Sequence, residues 1–247
     1  MRASRRGGVL AGSVGALEFS FSGSYTFLDD GGGNYRYRFL SSGILTVTRK
    51  VVIDAFLVGG GASGRRSSNY GGGGGGGRTL TCSSITLRRG TNYSIVVAAT
   101  QTAEADPGNA TSAFGYTASG GNCASAENGG SGGSGGGSGG LESYQRGAGG
   151  TNGGGGAGST PGTGQGTTTR EFGLSTETLY AGGGGGYSKA GGAGGGGNGY
   201  SYSGTSIEAM SAASNSGGGA GGASGGTQLK YGYGGSGIVV IRNHRTA

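Results

Sequence analysis

Val51-Val-Ile-Asp-Ala-Phe-Leu-Val58 leads directly into Gly59-Gly-Gly61, and seven consecutive glycines follow from Gly71 to Gly77. A run rich in Val, Ile and Phe favours a buried strand. The chain therefore passes from a buried strand into backbone with almost no side chains. Gly237-Ile-Val-Val-Ile-Arg242 is a second apolar run of the same type. We interpret the two runs as a frame around the glycine-rich blocks, which cover residues 59–77, 129–166, 182–199 and 217–237.

Glycine supplies 70 of the 247 residues and proline only 2. Collagen needs glycine at every third position together with abundant proline, so this composition excludes it. A flexible Gly/Ser linker and an ordered bundle of polyglycine II helices both fit. In polyglycine II the backbone turns about every three residues, rises ~3.1 Å per residue and directs its N–H and C=O groups outward. Chains without Cβ atoms approach closely enough to satisfy those groups on one another, and we expect this bundle.

Ordering a backbone costs about 1–2 kcal/mol per residue, and glycine buries little apolar area. A glycine bundle therefore needs a sheet that holds the ends of its segments. The sequence predicts an all-β fold: a small β-sandwich or meander framework, a bundle of polyglycine II helices and very little α-helix. We expect residues 1–17 to be a basic leader or attachment arm. The remaining residues, 18–247, form one glycine-rich domain, with its β framework at 18–58, 79–97 and 237–242.

Alternating apolar and polar residues predict half-buried strands in the framework. In one of them Tyr35, Tyr37 and Phe39 share a face, and the intervening arginines occupy the other. Two further stretches resemble each other: Ser112-Ala-Phe-Gly-Tyr116 and Arg170-Glu-Phe-Gly-Leu174. Both place an aromatic-Gly pair before a polar run and a set of glycines. We interpret both as strands that return the chain to the sheet between glycine excursions.

Residues that could carry chemistry are few. His244 is the one histidine, and the adjacent carboxylates Asp29 and Asp30 fit a turn better than a calcium loop. Cys82 and Cys123 lack the spacing of a metal site; one disulfide would form if the fold joins them, but free thiols are favoured. The many G-x-G-x-x-G matches are what chance produces in so glycine-rich a chain. The sequence predicts no enzymatic activity, no cofactor and no metal.

The net charge of +7 is unevenly distributed, because residues 1–100 hold 12 Lys/Arg against 4 Asp/Glu. Glycine-rich RNA-binding tails interleave arginine with glycine, whereas only Arg6-Gly-Gly8 has that form here. Nucleic acid is therefore not an expected partner. No stretch approaches the ~18 apolar residues of a membrane span, so membrane insertion is not expected either.

Five motifs occur together: Tyr25-Thr-Phe27, Phe39-Leu-Ser-Ser-Gly43, Val52-Ile-Asp-Ala-Phe-Leu-Val-Gly-Gly-Gly61, Thr168-Thr-Arg-Glu-Phe-Gly173 and Gly234-Gly-Ser-Gly-Ile-Val-Val-Ile-Arg242. With them the chain resembles the glycine-rich domain proteins of phages and prophages over roughly residues 20–242. That group is similar to tail-fibre adhesins, in which a polyglycine II bundle displays receptor-binding loops. The resemblance implies a virion protein at a tail-fibre or tail tip, outside the cell, that attaches to a host.

If the resemblance holds, recognition falls on loops between the glycine blocks, because glycine helices present no side chains. Tyrosine offers a wide contact area with a polar tip, which suits protein and sugar surfaces. The alternative is that these tyrosines only cover the sides and ends of the bundle. The candidate contact residues are Arg65, Arg66, Asn69, Tyr70, Tyr144, Arg146, Tyr200, Tyr202, Tyr231 and Tyr233.

The expected partners are a host cell-surface receptor (protein or polysaccharide), other virion proteins and further copies of the chain. Two other functions stay open. One is a purely structural virion subunit, such as a fibre, decoration or tail-tip assembly protein whose loops contact other subunits. The second is a glycine-rich extracellular material, which would be insoluble and would unfold without cooperativity.

Overall fold

The computed structural model describes residues 18–67, 70–139, 169–187, 189–200, 210–224 and 231–243. The expected leader, residues 1–17, and His244 lie outside these ranges. Within them the chain is all-β, with no α-helix and one short 3-10 turn. The strands are β1 (Phe19–Phe21), β2 (Tyr25–Gly31), β3 (Asn34–Phe39), β4 (Gly43–Val47), β5 (Val51–Val58), β6 (Arg66–Ser67), β7 (Thr79–Leu87), β8 (Asn92–Val96), β9 (Thr111–Ala113), β10 (Tyr116–Ala118), β11 (Ala223–Ser224) and β12 (Ile238–Asn243).

Two five-stranded antiparallel sheets form a sandwich. Sheet I has the order β1-β4-β8-β9-β10, and sheet II has the order β2-β3-β12-β5-β7. The two apolar runs are neighbours in sheet II, where Ile238 pairs with Val58 and Asn243 with Ile53. The framework is therefore a sandwich, and the two runs form its central strands.

The core between the sheets follows the alternation of the sequence. Tyr35, Tyr37 and Phe39 are at most 4% exposed and pack against Leu45 and Ile95 of sheet I. The alternate residues of β3, which include the arginines, lie on the other face of sheet II. The prediction that the aromatic residues share one face of β3 is confirmed.

The outer face of sheet II is covered by residues 169–181. Phe172 and Tyr180 pack on Phe56, with ring centroids 6.1 and 5.6 Å apart, in a second apolar cluster. The predicted likeness of the two Phe-Gly stretches holds at the turn, because Phe114-Gly115 and Phe172-Gly173 all have positive φ. The interpretation as strands is confirmed for the first copy and wrong for the second. The first copy is the β9–β10 hairpin, whereas the second is a 3-10 turn at Glu171–Gly173, stabilised by packing on the sheet.

The seven-glycine run has the hydrogen-bond period of polyglycine II. Gly72 N–H donates to Ala126 O (3.0 Å), and Gly75, three residues on, donates to Asn122 O (3.0 Å). The same period relates the other donors: Gly73 and Gly76 bond to Gly137 and Ser134, and Gly74 and Gly77 bond to Ala220 and Gly217. The N–H groups of the run therefore find their acceptors on other segments, as expected for a helix with three residues per turn and no internal hydrogen bonds.

The carbonyl groups of the run are satisfied by three further segments. Gly72 O accepts from Arg65 N–H, Gly73 O from Gly130 N–H, and Gly74 O from Gly184 N–H. Six segments therefore surround the run, three that accept its hydrogen bonds and three that donate to it. Residues 59–65 show the same period, since Gly61 and Gly64 donate to Gly235 and Gly232. The expected polyglycine II bundle is present, and it continues directly from β5.

Candidate functional site

The glycine segments share two ends. Residues 59–65 leave β5, and the chain returns through residues 71–77 into β7, so one end adjoins the sheets. At ~3.1 Å per residue, the seven residues from Gly59 to Arg65 carry the other end about 20 Å from the sheets. Other segments reach the same far end, where Ala223 N–H donates to Arg65 O and Gly139 N–H to Glu127 O. We call this end the distal face; its described residues that are at least partly exposed are Arg65, Arg66, Ser67, Tyr70, Glu104, Glu127, Tyr187, Tyr200 and Tyr231.

Side chains of the distal face contact one another. The rings of Tyr70 and Tyr187 meet edge to face with centroids 4.9 Å apart. Arg66 Nε lies 3.0 Å from Glu104 Oε2, and Arg66 N–H also donates to the same carboxylate. These two contacts join residues that are far apart in the sequence in one surface. The described part of the distal face is thus largely polar, with half-buried tyrosine rings in it.

A profile of the glycine-rich domain family matches residues 41–244. The match includes β5, β12 and the glycine segments between them. The chain belongs to the glycine-rich domain family. No curated protein matches it.

Five of the predicted contact residues of this glycine-rich domain lie at the distal face: Arg65, Arg66, Tyr70, Tyr200 and Tyr231. Tyr200 is positioned by its N–H bond to Gly222 O, 2.9 Å. Tyr233 lies further toward the sheets, where its carbonyl accepts from Ala212 N–H and its ring contacts Tyr231. The other four, Asn69, Tyr144, Arg146 and Tyr202, lie outside the described residues. That any of these residues contacts a receptor stays a prediction.

The sequence interpretation missed Tyr187, Glu104 and Glu127. Tyr187 directly follows the glycines 182–186, which form a segment of the bundle. Its place at the end of a glycine run is the signal that could have identified it, as it did for Tyr70 at the start of one. Glu104 and Glu127 carry no such signal, because their positions depend on how neighbouring segments are aligned.

The described residues offer little for other chemistry. They contain no group of three His, Cys, Asp or Glu side chains that could hold a metal. Asp29 accepts a hydrogen bond from Gly31 N–H and Asp30 pairs with Arg36, as expected of a turn. Cys82 and Cys123 are free thiols, and burial raises the pKa of Cys82, which keeps the thiol protonated. No helix in these ranges is long and apolar enough to span a membrane.

Proposed function

We propose that this glycine-rich domain is a non-enzymatic phage or prophage virion protein that binds a host-cell receptor through its distal face. Its place in the particle would be a tail-fibre or tail tip. The observation that carries the proposal is that tyrosines at the ends of several glycine segments, among them Tyr70, Tyr187 and Tyr200, lie at one end of a hydrogen-bonded bundle. The phage origin rests on the resemblance of five sequence motifs to those of phage and prophage glycine-rich proteins.

The bundle is suited to displaying recognition loops because it is rigid and presents almost no side chains of its own. Each inner glycine segment is hydrogen-bonded to its neighbours, so the turns at its end are held in place without a hydrophobic core beneath them. Recognition then depends on the turns alone, which tolerate changes of sequence better than the packed segments do. Tyr70, Tyr187 and Tyr231 would supply contact area with little loss of side-chain entropy.

A structural subunit is the second candidate, and one observation favours it. The outer face of sheet I carries no charge along its cross-strand pairs Ser20–Thr46, Ile44–Ser94 and Val96–Ser112. Ile44 and Val96 are 44% and 43% exposed. A neutral sheet face with exposed aliphatic residues suits packing against other subunits, because no charge repels a second copy.

Binding of the labelled, purified protein to intact cells of a panel of bacterial strains tests the proposal. We expect saturable binding to at least one strain. Tyr70→Ser and Tyr231→Ser should each reduce it about tenfold or more, as loss of a central tyrosine does at other interfaces. The matched controls are Tyr25→Ser and Tyr116→Ser, which remove exposed tyrosines from the sheets. All four variants should melt close to the unmodified protein.

Two results would contradict receptor binding by the distal face. One is the absence of binding to every strain together with self-association that Ile44→Asp or Val96→Asp abolishes, which is the behaviour of a structural subunit. The other is cell binding that the control substitutions reduce as much as the distal ones, because recognition would then not reside at the distal face.

A further inference from the structure

Four cations lie together at the end of the sandwich farthest from the bundle. Arg49 and Lys50 occupy the turn between β4 and β5, and Arg88 and Arg89 the turn between β7 and β8. The turns are joined by a hydrogen bond from Gly90 N–H to Val47 O, 2.8 Å. All four cations are exposed. Because β5 begins here and enters the bundle at its other end, this surface, the basic corner, lies opposite the distal face.

The basic corner is set apart by the adjacency of its unpaired cations. Elsewhere in the described residues Arg36, Arg38, Arg66 and Arg242 form ion pairs, and the cations without one, such as Arg78 and Lys189, lie apart from one another in the sequence. In the basic corner only Arg49 forms an ion pair, with the buried Glu18. The described residues offer no ion-pair partner to the three others, Lys50, Arg88 and Arg89.

Nearby carboxylates do not balance these charges. Asp29 and Asp30 lie in the β2–β3 hairpin, at the opposite edge of sheet II from β7, and Asp30 is already paired with Arg36. Asp54 is bound by Arg242 and by Ser84 N–H. A cluster of exposed, unpaired cations repels itself, and an anionic partner removes that repulsion.

We propose that the basic corner is a docking surface for a carboxylate-rich face of another protein, by which the domain is mounted with its distal face outward. The mounting role rests on the proposed function; the docking surface rests on the charges. Arginine forks pair with carboxylates in two parallel hydrogen bonds, which fixes orientation as well as attraction. Val52, 42% exposed and paired with Thr86 beside these turns, adds the apolar contact found in protein interfaces.

Nucleic acid fits this surface less well. Proteins that bind single strands stack the bases on aromatic side chains placed among the cations. In the described chain the exposed tyrosines are Tyr25, Tyr116 and Tyr233, and none of them is in either turn. Tyr93 is half-buried, and its hydroxyl accepts a hydrogen bond from Arg88 N–H. The corner therefore offers charge without a stacking platform.

The test measures binding of the full chain to immobilised poly-L-glutamate, with duplex DNA and phosphatidylglycerol vesicles as rival probes, at several salt concentrations. The variant is Arg88→Glu with Arg89→Glu. The control is Arg78→Glu with Lys189→Glu, which changes net charge equally at exposed positions outside the corner. We expect salt-sensitive poly-L-glutamate binding that the corner variant weakens about tenfold or more and the control at most about twofold. Cell binding by the corner variant should be unchanged.

Three results would overturn the proposal. Failure of the unmodified protein to bind poly-L-glutamate would show that the basic corner does not attract carboxylates. Equal weakening by the two double variants shows an effect of net charge alone. Tighter, corner-dependent binding to DNA or to vesicles assigns the surface to a different partner. Circular dichroism and thermal melting establish that each variant is folded. Cell binding by the Tyr70 and Tyr231 variants is measured separately, so that failure of the docking surface can be distinguished from failure of the receptor site.

Discussion

At the residue scale, the bundle distinguishes positions that require glycine from positions that accept a Cβ. A Cβ at Gly75 or Gly76 would come closer than 3.0 Å to a neighbouring carbonyl oxygen, of Ser131 and Ala181 respectively. Ala62 and Ala220 are fully buried in the same bundle, so their methyl groups fill space between segments. The space between neighbouring segments therefore decides whether a position of the bundle requires glycine or accepts alanine.

Gly76→Ala is expected to destabilise the protein by about 2 kcal/mol or more, because the added methyl group must displace backbone. Gly60→Ala is the matched control. Its Cβ would lie 3.0 Å from the Ala98 methyl and 3.3 Å from Asn109, so small shifts accommodate it at about 1 kcal/mol or less. Urea unfolding measures both values. Equal, small losses would mean that the segments are not packed at this distance.

Tyr37 should make the fold sensitive to alkaline pH. Burial in the core, with a smaller contribution from Tyr25, raises the pKa of Tyr37 to about 12, whereas in the unfolded chain it titrates near 10. The unfolded state therefore loses this proton first. The stabilisation is complete below pH 10 and is lost as the pH rises toward 12, at up to about 1.4 kcal/mol per pH unit.

Tyr37→Phe should flatten this loss, although Tyr180, whose pKa burial also raises, leaves a residual slope. Urea unfolding at pH 9, 10 and 11 provides the comparison. Tyr116→Phe, at an exposed position, serves as the control and should keep the full slope. An unchanged slope in the Tyr37 variant would place the sensitivity elsewhere.

At the element scale, residues 169–180 are held on sheet II by a buried carboxylate. Glu171 is fully buried and accepts hydrogen bonds from Arg36 Nη1 (2.9 Å), Arg38 Nη2 (2.8 Å) and Tyr180 OH (3.2 Å). Arg242 stacks on Phe172, 4.3 Å from the ring centroid. This segment ends where residues 181–186 enter the bundle, so the network joins the sandwich to the glycine segments.

Glu171→Ala should cost about 3 kcal/mol of stability, because it leaves the partly buried Arg38 without its carboxylate and removes one of the three carboxylates that Arg36 binds. Glu177→Ala is the control: this residue also pairs with Arg36, but it is more exposed and should cost less than about 1 kcal/mol. Chemical unfolding of the two variants measures both losses of stability. Comparable costs would show that burial of Glu171 adds nothing to the attachment.

The elements that the sequence predicts best are those set by side-chain alternation or by glycine itself. β3, β5 and β12 are apparent from their patterns, and the period of residues 71–77 follows from the absence of Cβ atoms. The turn at Glu171–Gly173 could not be predicted, because it depends on packing against Phe56 from a distant strand. The β-bulge in β7 could not be predicted either. Ser84 has positive φ there, and its N–H donates to the carboxylate of Asp54, thirty residues away in the sequence.

At the scale of the whole molecule, the sandwich and the bundle depend on each other. The sandwich supplies the apolar core and fixes the ends of the glycine segments, and the bundle carries its turns to the distal face. The proposed receptor site and the proposed docking surface thus lie at opposite ends of one body. Tyr70, Tyr200 and Tyr231 could be named from sequence, whereas Tyr187 was missed. That they lie at one face depends on the alignment of the segments, which no single glycine run encodes.

Hydrogen exchange at the glycine amides tests most directly whether the bundle is an ordered hydrogen-bonded body. The amides of Gly72 to Gly77 each donate to a neighbouring segment, so we expect exchange at least about a thousandfold slower than in a free peptide. Gly32, exposed at the tip of the β2–β3 hairpin, is the internal reference and should exchange rapidly. Exchange of Gly72 to Gly77 as fast as Gly32 would contradict the account, because the distal face would then have no rigid support.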